Sequence, residues 1–249
     1  MTSPRADQLA WDDARLRDPH AQSDKAARVR SMFDQIAPTY ELVNRRLSIG
    51  RDAYWRRRAV ELAGVGPHDR VLDVACGTGD FARAFSAAGP AAVVGCDFSV
   101  GMLSQAAAHP VADIKWCRAD AQALPFRDEC FTVAACAFGV RNLQDLAAGL
   151  TEMRRVLRSG GRLVILEFSM PASMVFGSLY LFYLRRVLPR LATWISRDHS
   201  GAYRYLPASV SSFLDWRGMA EAFRGARFGR VEQVGLTGGV VSVHLAWKE

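Results

Sequence analysis

Two short segments carry glycines and an acid suited to holding a nucleoside cofactor. Residues 70–82 read RVLDVACGTGDFA, an apolar strand that runs into a glycine turn and then a helix. Asp97 follows Gly77 by about twenty residues and closes the next apolar strand. A turn at Gly77 and Gly79 lets a ligand approach the backbone, and an acid at the second strand tip can hold a pair of ribose hydroxyls. These residues predict a nucleoside-cofactor site.

The glycine turn alone does not decide which cofactor binds. Gly77-x-Gly79-x-x-Ala82 also satisfies the loose form of the dinucleotide-binding fingerprint. Asp73 argues against a dinucleotide, because it lies inside the strand, where a dehydrogenase usually carries only apolar residues. A carboxylate there can order the turn or meet the methionine ammonium of S-adenosylmethionine. Asp73 therefore favours S-adenosylmethionine.

Two later segments favour the same cofactor. Asp120 and Ala121 follow the third apolar strand, where the acid can accept the exocyclic amine of adenine and the small residue lets the ring lie flat. Residues 158–162, RSGGR, give a tight turn into the fifth strand. With Asp73, Asp97 and Asp120 at three successive strand ends, we expect S-adenosylmethionine as the cofactor.

The elements that must position these residues alternate between strands and helices. Near-continuous apolar strands that alternate with helices are typical of a parallel sheet covered on both faces. Ligands in such folds bind outside the carboxyl ends of the strands, where strand order reverses. The predicted strands are Arg70–Ala75, Ala91–Cys96, Ile114–Arg118, Phe131–Ala137 and Arg162–Phe168, and the predicted helices between them are Asp80–Ala88, Val100–Ala108 and Leu143–Leu157.

The C-terminal part predicts an antiparallel ending to the sheet. A helix at Ser211–Phe223 precedes strands at Phe228–Leu236 and Val240–Trp247, and Gly238 with Gly239 suits a tight antiparallel turn between those strands. A parallel sheet that ends in this way favours the methyltransferase version of the α/β sandwich. We therefore predict an α/β protein with the class I S-adenosylmethionine-dependent methyltransferase fold. Its seven-stranded, mostly parallel sheet has an antiparallel last strand, and a helical lid precedes it.

The chain divides into three predicted parts. Residues 1–27 are polar and charged and are predicted to form a flexible N-terminal arm. Residues 28–66 are predicted to form the helical lid. Residues 67–249 are predicted to form the methyltransferase core, with a helical substrate-pocket insertion at about 170–210.

Composition limits the functional classes. The 249 residues carry a formal net charge of +7, which nucleic acid, an anionic membrane surface or ordinary solvated helix faces would each explain. The longest uncharged apolar stretch, Met170–Leu184, is shorter than the roughly 20 residues of a spanning helix, so we expect a soluble or peripheral protein. We also expect no signal peptide, five reduced cysteines and no metal, since no residue cluster has metal-ligand spacing.

Six further segments resemble the ubiquinone/menaquinone-biosynthesis C-methyltransferases. The Phe-Gly-x-Arg-Asn and Glu-Phe-Ser segments are specific to this family, whereas the glycine turn is shared by very many methyltransferases. The resemblance covers residues 28–248, in order and without large gaps. The segments are MFDQIA at 32–37, YELVN at 40–44, FGVRN at 138–142, LEFS at 166–169, YRYL at 203–206 and LTGGVV at 236–241.

The resemblance implies a reaction and a set of cofactor contacts. Methyl would pass from S-adenosylmethionine to a ring carbon of a polyprenylated quinol precursor, and in the menaquinone branch demethylmenaquinol becomes menaquinol. By the family's pattern, Thr78, Asp97, Asp120 and Ala121 contact the cofactor. The family commonly has Ser where this chain has Ala137, so a contact through that hydroxyl is absent or replaced by backbone.

Methylation of a ring carbon requires an electron-rich ring, which a reduced quinol provides once it loses a phenolic proton. Arg141 and Asn142 follow the fourth strand, and we expect Arg141 to stabilise the phenolate and Asn142 to orient the ring oxygen. Tyr40, on the lid, is a third candidate for contact with the quinol. Structural roles remain open for all three: a salt bridge for Arg141, the N-cap of a helix from Leu143 for Asn142, and lid packing for Tyr40.

The aromatic stretch Phe176–Trp194 fits the wall of a polyprenyl cavity, an amphipathic surface helix or plain core packing, and neighbouring arginines fit lipid headgroups. We expect a cytoplasmic protein at the inner face of the membrane, without nucleic acid, and leave a homodimer or a biosynthetic complex open. An RNA methyltransferase would use the positive charge but usually brings a motif absent from this sequence. Ring methylation in the ubiquinone pathway, another small aromatic or lipid substrate, and a non-catalytic, cofactor-binding accessory role remain alternatives.

Overall fold

Seven strands form one sheet in the computed structural model, which describes residues 9–109, 111, 113–196 and 200–249. The strand order is β3-β2-β1-β4-β5-β7-β6. All neighbours pair in parallel except β7, which runs antiparallel to both β5 and β6. The predicted fold is therefore confirmed. The strands are β1 Arg70–Val74, β2 Ala92–Asp97, β3 Ile114–Arg118, β4 Phe131–Ala137, β5 Leu157–Phe168, β6 Val231–Leu236 and β7 Val241–Trp247.

Helices cover both faces of this sheet. Alternate residues of a strand point to opposite faces, so a central strand must be apolar at nearly every position. In β1, Val71 packs on the face that carries Phe81 and Phe85, whereas Leu72 packs on the face that carries Leu150 and Phe223. The helices are α1 Lys25–Ile36, α2 Tyr40–Leu47, α3 Arg51–Ala63, α4 Asp80–Ser86, α5 Val100–Ala108, α6 Leu146–Val156, α7 Met174–Phe182, α8 Leu188–Ser196, α9 Ala202–Ser211 and α10 Trp216–Gly225.

Two predicted helices are wrong at their boundaries, because aspartate caps determine where the helices begin. α6 starts at Leu146 rather than Leu143, and the Asp145 side chain accepts a hydrogen bond from the Ala148 amide. The predicted helix from Ser211 to Phe223 in fact covers the last residue of α9, a break at 212–215 and most of α10. Asp215 caps α10 by accepting a hydrogen bond from the Gly218 amide.

The N-terminal helices are tied to the sheet by polar contacts. The Ser99 hydroxyl donates to Asp34 of α1 at 2.6 Å, and the Trp55 indole of α3 donates to Thr237 at 2.8 Å. Residues 1–8 of the predicted flexible arm lie outside the described residues. Within 9–27, Trp11 is buried and stacks on Tyr205 with ring centroids 4.5 Å apart, and the flexibility of the arm remains a prediction. The lid and insertion boundaries remain predictions.

Gly95 has no side chain, and the Trp116 ring occupies the space that a Cβ there would take. Gly95 and Trp116 are register partners on β2 and β3. A Cβ at Gly95 would lie 2.3 Å from the Trp116 ring, and one at Gly79 would lie 2.5 Å from it. The indole therefore packs across both glycines and supports the glycine turn from beneath. None of the described helices is both long and apolar enough to cross a membrane.

Replacing Gly95 with alanine should destabilise the fold, because the new methyl group overlaps the indole. We expect Gly95→Ala to lower the free energy of unfolding by about 1–3 kcal/mol in urea denaturation. Gly225→Ala is the matched control, since a Cβ there meets nothing within 4 Å. In a double-mutant cycle with Trp116→Leu the two losses should be less than additive. Full additivity would contradict the proposed overlap.

Candidate active site

A cleft opens at the carboxyl ends of β1 to β4, where strand order reverses between β1 and β4. It encloses about 680 Å³ of empty space, including its open mouth. Two residues from the N-terminal helices that no motif marked as cofactor contacts, Ala26 and Phe33, also line it. The structure thus brings together most of the predicted site. The predicted residues that line this cleft are Tyr40, Gly77, Asp97, Asp120, Ala121 and Asn142.

Asp97 connects the glycine turn to the start of α5. One carboxylate oxygen accepts a hydrogen bond from the Gly77 amide at 2.8 Å, and the other accepts one from the Ser99 amide at 2.9 Å. Gly77 and Gly79 both have positive φ, 57° and 90°, which glycine adopts without steric cost. Burial raises the pKa of Asp97 to about 6, although these amides oppose the rise. Each carboxylate oxygen still has a lone pair for a hydroxyl donor.

Asp73 is a buried acid behind the turn, with no exposed surface and no place in the cleft wall. Neither carboxylate oxygen has a hydrogen-bond partner of good geometry among the described residues. Burial raises the pKa of Asp73 to about 8, against the opposing effects of the Ala82 amide and Arg56. A cation near the turn would stabilise the ionised form. This unpaired acid therefore fits a cofactor that carries an ammonium group.

The remaining predicted cofactor contacts differ in their placement. Asp120 is exposed, and one of its oxygens accepts a hydrogen bond from the Gln122 amide at 2.9 Å. Thr78 is buried and does not line the cleft, and its carbonyl accepts a hydrogen bond from Arg83. Gly79 lies outside the lining as well, against Trp116. Ala137 lines the cleft, and its side chain offers a ligand no hydroxyl.

A second, larger cavity adjoins this cleft. It encloses about 1540 Å³ with its mouth, and its wall is mostly apolar and aromatic. Phe33, Tyr40 and Phe138 line both spaces, so a ligand in one would meet a ligand in the other there. We call the two spaces the cofactor cleft and the acceptor cavity. Aromatic residues of the acceptor cavity beyond this junction are Trp55, Phe168, Tyr180, Tyr183, Tyr203 and Tyr205.

Arg141 lines the acceptor cavity and forms a buried ion pair. Its Nη1 donates to Glu167 at 2.8 Å and to the Phe138 carbonyl at 2.6 Å. Its guanidinium carbon lies 5.4 Å from the centre of the Phe168 ring. Burial raises the pKa of Glu167, and Arg141 opposes that rise. The sequence marked the Glu-Phe-Ser segment but not this role of Glu167, because the pairing of β5 with β4 that brings it to Arg141 is seen only in the structure.

Asn142 is held by hydrogen bonds rather than capping a helix. Its amide nitrogen donates to the Phe138 carbonyl at 3.1 Å, and its oxygen accepts from the Tyr205 hydroxyl at 3.0 Å. The N-cap alternative is therefore wrong, because α6 is capped by Asp145. Phe138 has φ 57°, a strained conformation for a bulky residue that nothing in the sequence predicted. Arg141 and Asn142 both bind its carbonyl.

Tyr40 lies at the junction, half-buried. Loss of contact with water raises the pKa of its phenol, while Arg56, Arg141 and a hydrogen bond with Asn44 oppose the rise. The phenol therefore stays protonated near neutral pH. It can donate a hydrogen bond to a ligand but cannot serve there as a ready base.

Residues 21–248 match the model of the ubiE/COQ5 methyltransferase family. The chain belongs to this family. It is 44% identical to a demethylmenaquinone methyltransferase of Mycobacterium sp. (strain KMS), over 88% of this chain and 94% of that protein. It is 42% identical to a ubiquinone/menaquinone biosynthesis C-methyltransferase, UbiE, of Citrifermentans bemidjiense, over 92% of this chain and 100% of that protein. The resemblance noted from the motifs is confirmed.

Solved structures agree on the fold. A SAM-dependent methyltransferase from Thermotoga maritima superposes with a TM-score of 0.64 at 20% identity, covering 89% of this chain and 100% of that one. The [4+2]-cyclase SpnF superposes with a TM-score of 0.57 at 17% identity, covering 90% and 96%. Because such distant structures include a cyclase, the fold alone does not fix the reaction. Family membership fixes the type of reaction: the chain is a methyltransferase, and its cofactor is S-adenosylmethionine.

If the cofactor ammonium lies near Asp73, binding should release a proton. Asp73 is protonated below pH about 8 in the free protein, and a neighbouring cation favours its ionised form. Calorimetry at pH 7 in buffers of different ionisation enthalpy should show release of up to about one proton per cofactor bound. Affinity should therefore rise with pH up to about 8. Asp73→Asn should abolish the proton release and weaken cofactor binding. Asp120→Asn should weaken cofactor binding but keep the proton release.

The same ionisation affects the stability of the free protein. Between the ordinary pKa of 3.8 and about 8, the folded protein keeps the Asp73 proton that the unfolded chain has lost. The free energy of unfolding therefore falls as pH rises through this window, and the stability that depends on the protonated acid is fully present only below it. Asp73→Asn should flatten this part of the pH–stability curve. An unchanged curve, or equal proton release in the Asp73→Asn protein, would contradict the assignment.

Proposed function

We propose that this enzyme transfers a methyl group from S-adenosylmethionine to a ring carbon of a polyprenylated quinol, with demethylmenaquinol as the acceptor. The observation that carries the proposal is the junction at Phe33, Tyr40 and Phe138, where the cleft that contains Asp97 and Asp120 meets a larger, mostly apolar cavity. The name of the Mycobacterium relative, demethylmenaquinone methyltransferase, supports this acceptor. The name of the Citrifermentans relative supports a ubiquinone precursor as the alternative.

In this proposal the cofactor cleft orients the donor. Asp97 binds the ribose hydroxyls, and Asp120 with Ala121 binds the adenine. Gly77 allows close approach at the turn, and Asp73 balances the ammonium charge from behind it. Thr78 and Gly79 shape the turn and contact the cofactor through their backbone. When bound, the cofactor supplies an electrophilic methyl group.

The acceptor side must stabilise a phenolate. Arg141 lines the acceptor cavity, and within the described part of the chain Nη1 makes both of its side-chain hydrogen bonds, which leaves Nη2 to meet the quinol oxygen. Asn142 holds the Phe138 carbonyl and thereby fixes the junction, and Tyr40 donates a hydrogen bond to the ring oxygen. A guanidinium is a poor base near neutral pH, so a water molecule or a carboxylate accepts the ring proton.

The proposed acceptor also determines where the enzyme works. A polyprenyl chain partitions into a bilayer, so we place the enzyme in the cytoplasm at the inner face of the membrane. Self-association or docking into a biosynthetic complex is compatible with this placement.

Labelled methyl transfer, measured in parallel on three acceptors, tests the proposal. We expect label in reduced demethylmenaquinol, less in a demethylated ubiquinol precursor, and none in RNA. The oxidised quinones should not be labelled, because their rings are electron-poor. Labelled RNA would overturn the proposal. Cofactor binding without transfer to any quinol would support the accessory role instead.

Removing Arg141 should slow chemistry without weakening cofactor binding. Loss of one preorganised donor to an oxyanion costs about 100- to 1000-fold in kcat. Since Arg141→Ala alone would strand the buried Glu167, the Arg141→Ala/Glu167→Gln protein is compared with it, and Arg158→Ala is the control. The cofactor Kd should stay within about threefold of that of the unchanged protein. The pH profile of kcat should shift to higher pH, because the quinol hydroxyl loses its proton less readily when the phenolate is less stabilised. Near-normal turnover by a folded Arg141→Ala protein would reject the role.

A further inference from the structure

The outer side of the α7–α8 segment is an apolar surface. Its inner side packs into the protein, where Leu184 is buried. On the outer side, large apolar side chains are mostly exposed: Met174 by 88%, Leu179 by 63%, Phe182 by 60% and Trp194 by 80%. Single exposed apolar residues are ordinary on a protein surface, but a cluster of them is typical of a surface that binds a ligand, another protein or a membrane.

An arginine-rich groove adjoins this apolar surface. Arg185, Arg186 and Arg190 lie within or just after the link between α7 and α8, and Arg17 with Arg204 completes the groove. Among the described residues, the ion pairs of this groove are limited to that between Arg204 and Asp13. The other four guanidiniums therefore present positive charge that no described carboxylate neutralises.

The same segment forms part of the acceptor cavity. Tyr180, Leu184 and Leu188 line the cavity from the inner side of the helices. Ile49, in the loop between α2 and α3, lines the cavity and is 88% exposed. The helices that carry the outer apolar surface therefore also form a wall of the acceptor cavity, whose rim includes an exposed apolar residue.

We propose that the α7–α8 surface docks on an anionic phospholipid bilayer. Leu179, Phe182 and Trp194 enter the interfacial layer, while Arg186 and Arg190 bind lipid phosphates. The bilayer is favoured over a second copy of this chain because a copy would bring the same positive groove toward its own. That docking also delivers the acceptor to its cavity is a consequence that rests on the proposed function.

Vesicle sedimentation measures the docking directly. The full chain should bind phosphatidylglycerol vesicles more tightly than phosphatidylcholine vesicles, and added salt should weaken that binding. Arg186→Gln/Arg190→Gln should lower the partition coefficient roughly thirtyfold, since each arginine near an anionic surface contributes about 1 kcal/mol. The control, Arg127→Gln/Arg158→Gln, removes the same charge beside the amino ends of β4 and β5, whereas α7 follows the carboxyl end of β5, and should change the partition coefficient little.

The apolar part has its own readouts. Leu179→Ser/Phe182→Ser should lower partitioning more than tenfold, whereas Leu214→Ser, at another exposed leucine, should not. Tryptophan emission should shift to the blue with phosphatidylglycerol vesicles, and Trp194→Phe should remove the shift. Circular dichroism and cofactor calorimetry should show that all variants are folded.

Distinct outcomes overturn the docking and the proposed function. Absent vesicle binding, or equal losses in the control variants, overturns the docking. So does a dimer that Leu179→Ser/Phe182→Ser disrupts while vesicle binding is kept. A short-chain, water-dispersed quinol tests the chemistry separately: the docking variants should methylate it at the rate of the unchanged protein, and its failure as a substrate would count against the proposed function alone.

Discussion

The ion pair between Arg141 and Glu167 is the contact on which the candidate site depends. It joins the carboxyl ends of β4 and β5 and holds the carbonyl of Phe138, which stands between the two cavities. Both partners are almost fully buried, so each charge needs the other. A guanidinium fixed in this way can meet a substrate oxygen without reorganising, which is the condition for electrostatic stabilisation of a developing phenolate.

The site carries energetic costs that a ligand can relieve. Asp73 is buried without a good hydrogen-bond partner, and Asp97 is buried with only backbone donors. Ala75 and Phe138, just beyond the ends of β1 and β4, both have positive φ. Such strain and unpaired charge persist only where the surrounding fold imposes them. Here they lie at or behind the cleft at the carboxyl ends of β1 to β4, so a bound ligand can recover stability that the free protein lacks.

Sequence patterns predicted the sheet and the cleft because each depended on local features. Apolar strands and glycine turns predicted the sheet, and the acids at strand ends include Asp97 and Asp120, which line the cleft in the structure. Non-local contacts could not be predicted in this way. Nothing in the sequence places Glu167 against Arg141, or Trp11 against Tyr205, because those contacts depend on which strands and helices become neighbours. Helix starts were predicted poorly where an aspartate cap such as Asp145 competed with apolar periodicity.

A crystal structure with S-adenosylhomocysteine and a short-chain menaquinol would test the central claim most directly. We expect the adenosine to lie between Asp97 and Asp120, and the quinol ring to lie at the junction beside Tyr40. A ring oxygen should lie within hydrogen-bond distance of the Arg141 guanidinium. A quinol ring bound away from that junction, with Arg141 contacting Glu167 alone, would contradict it.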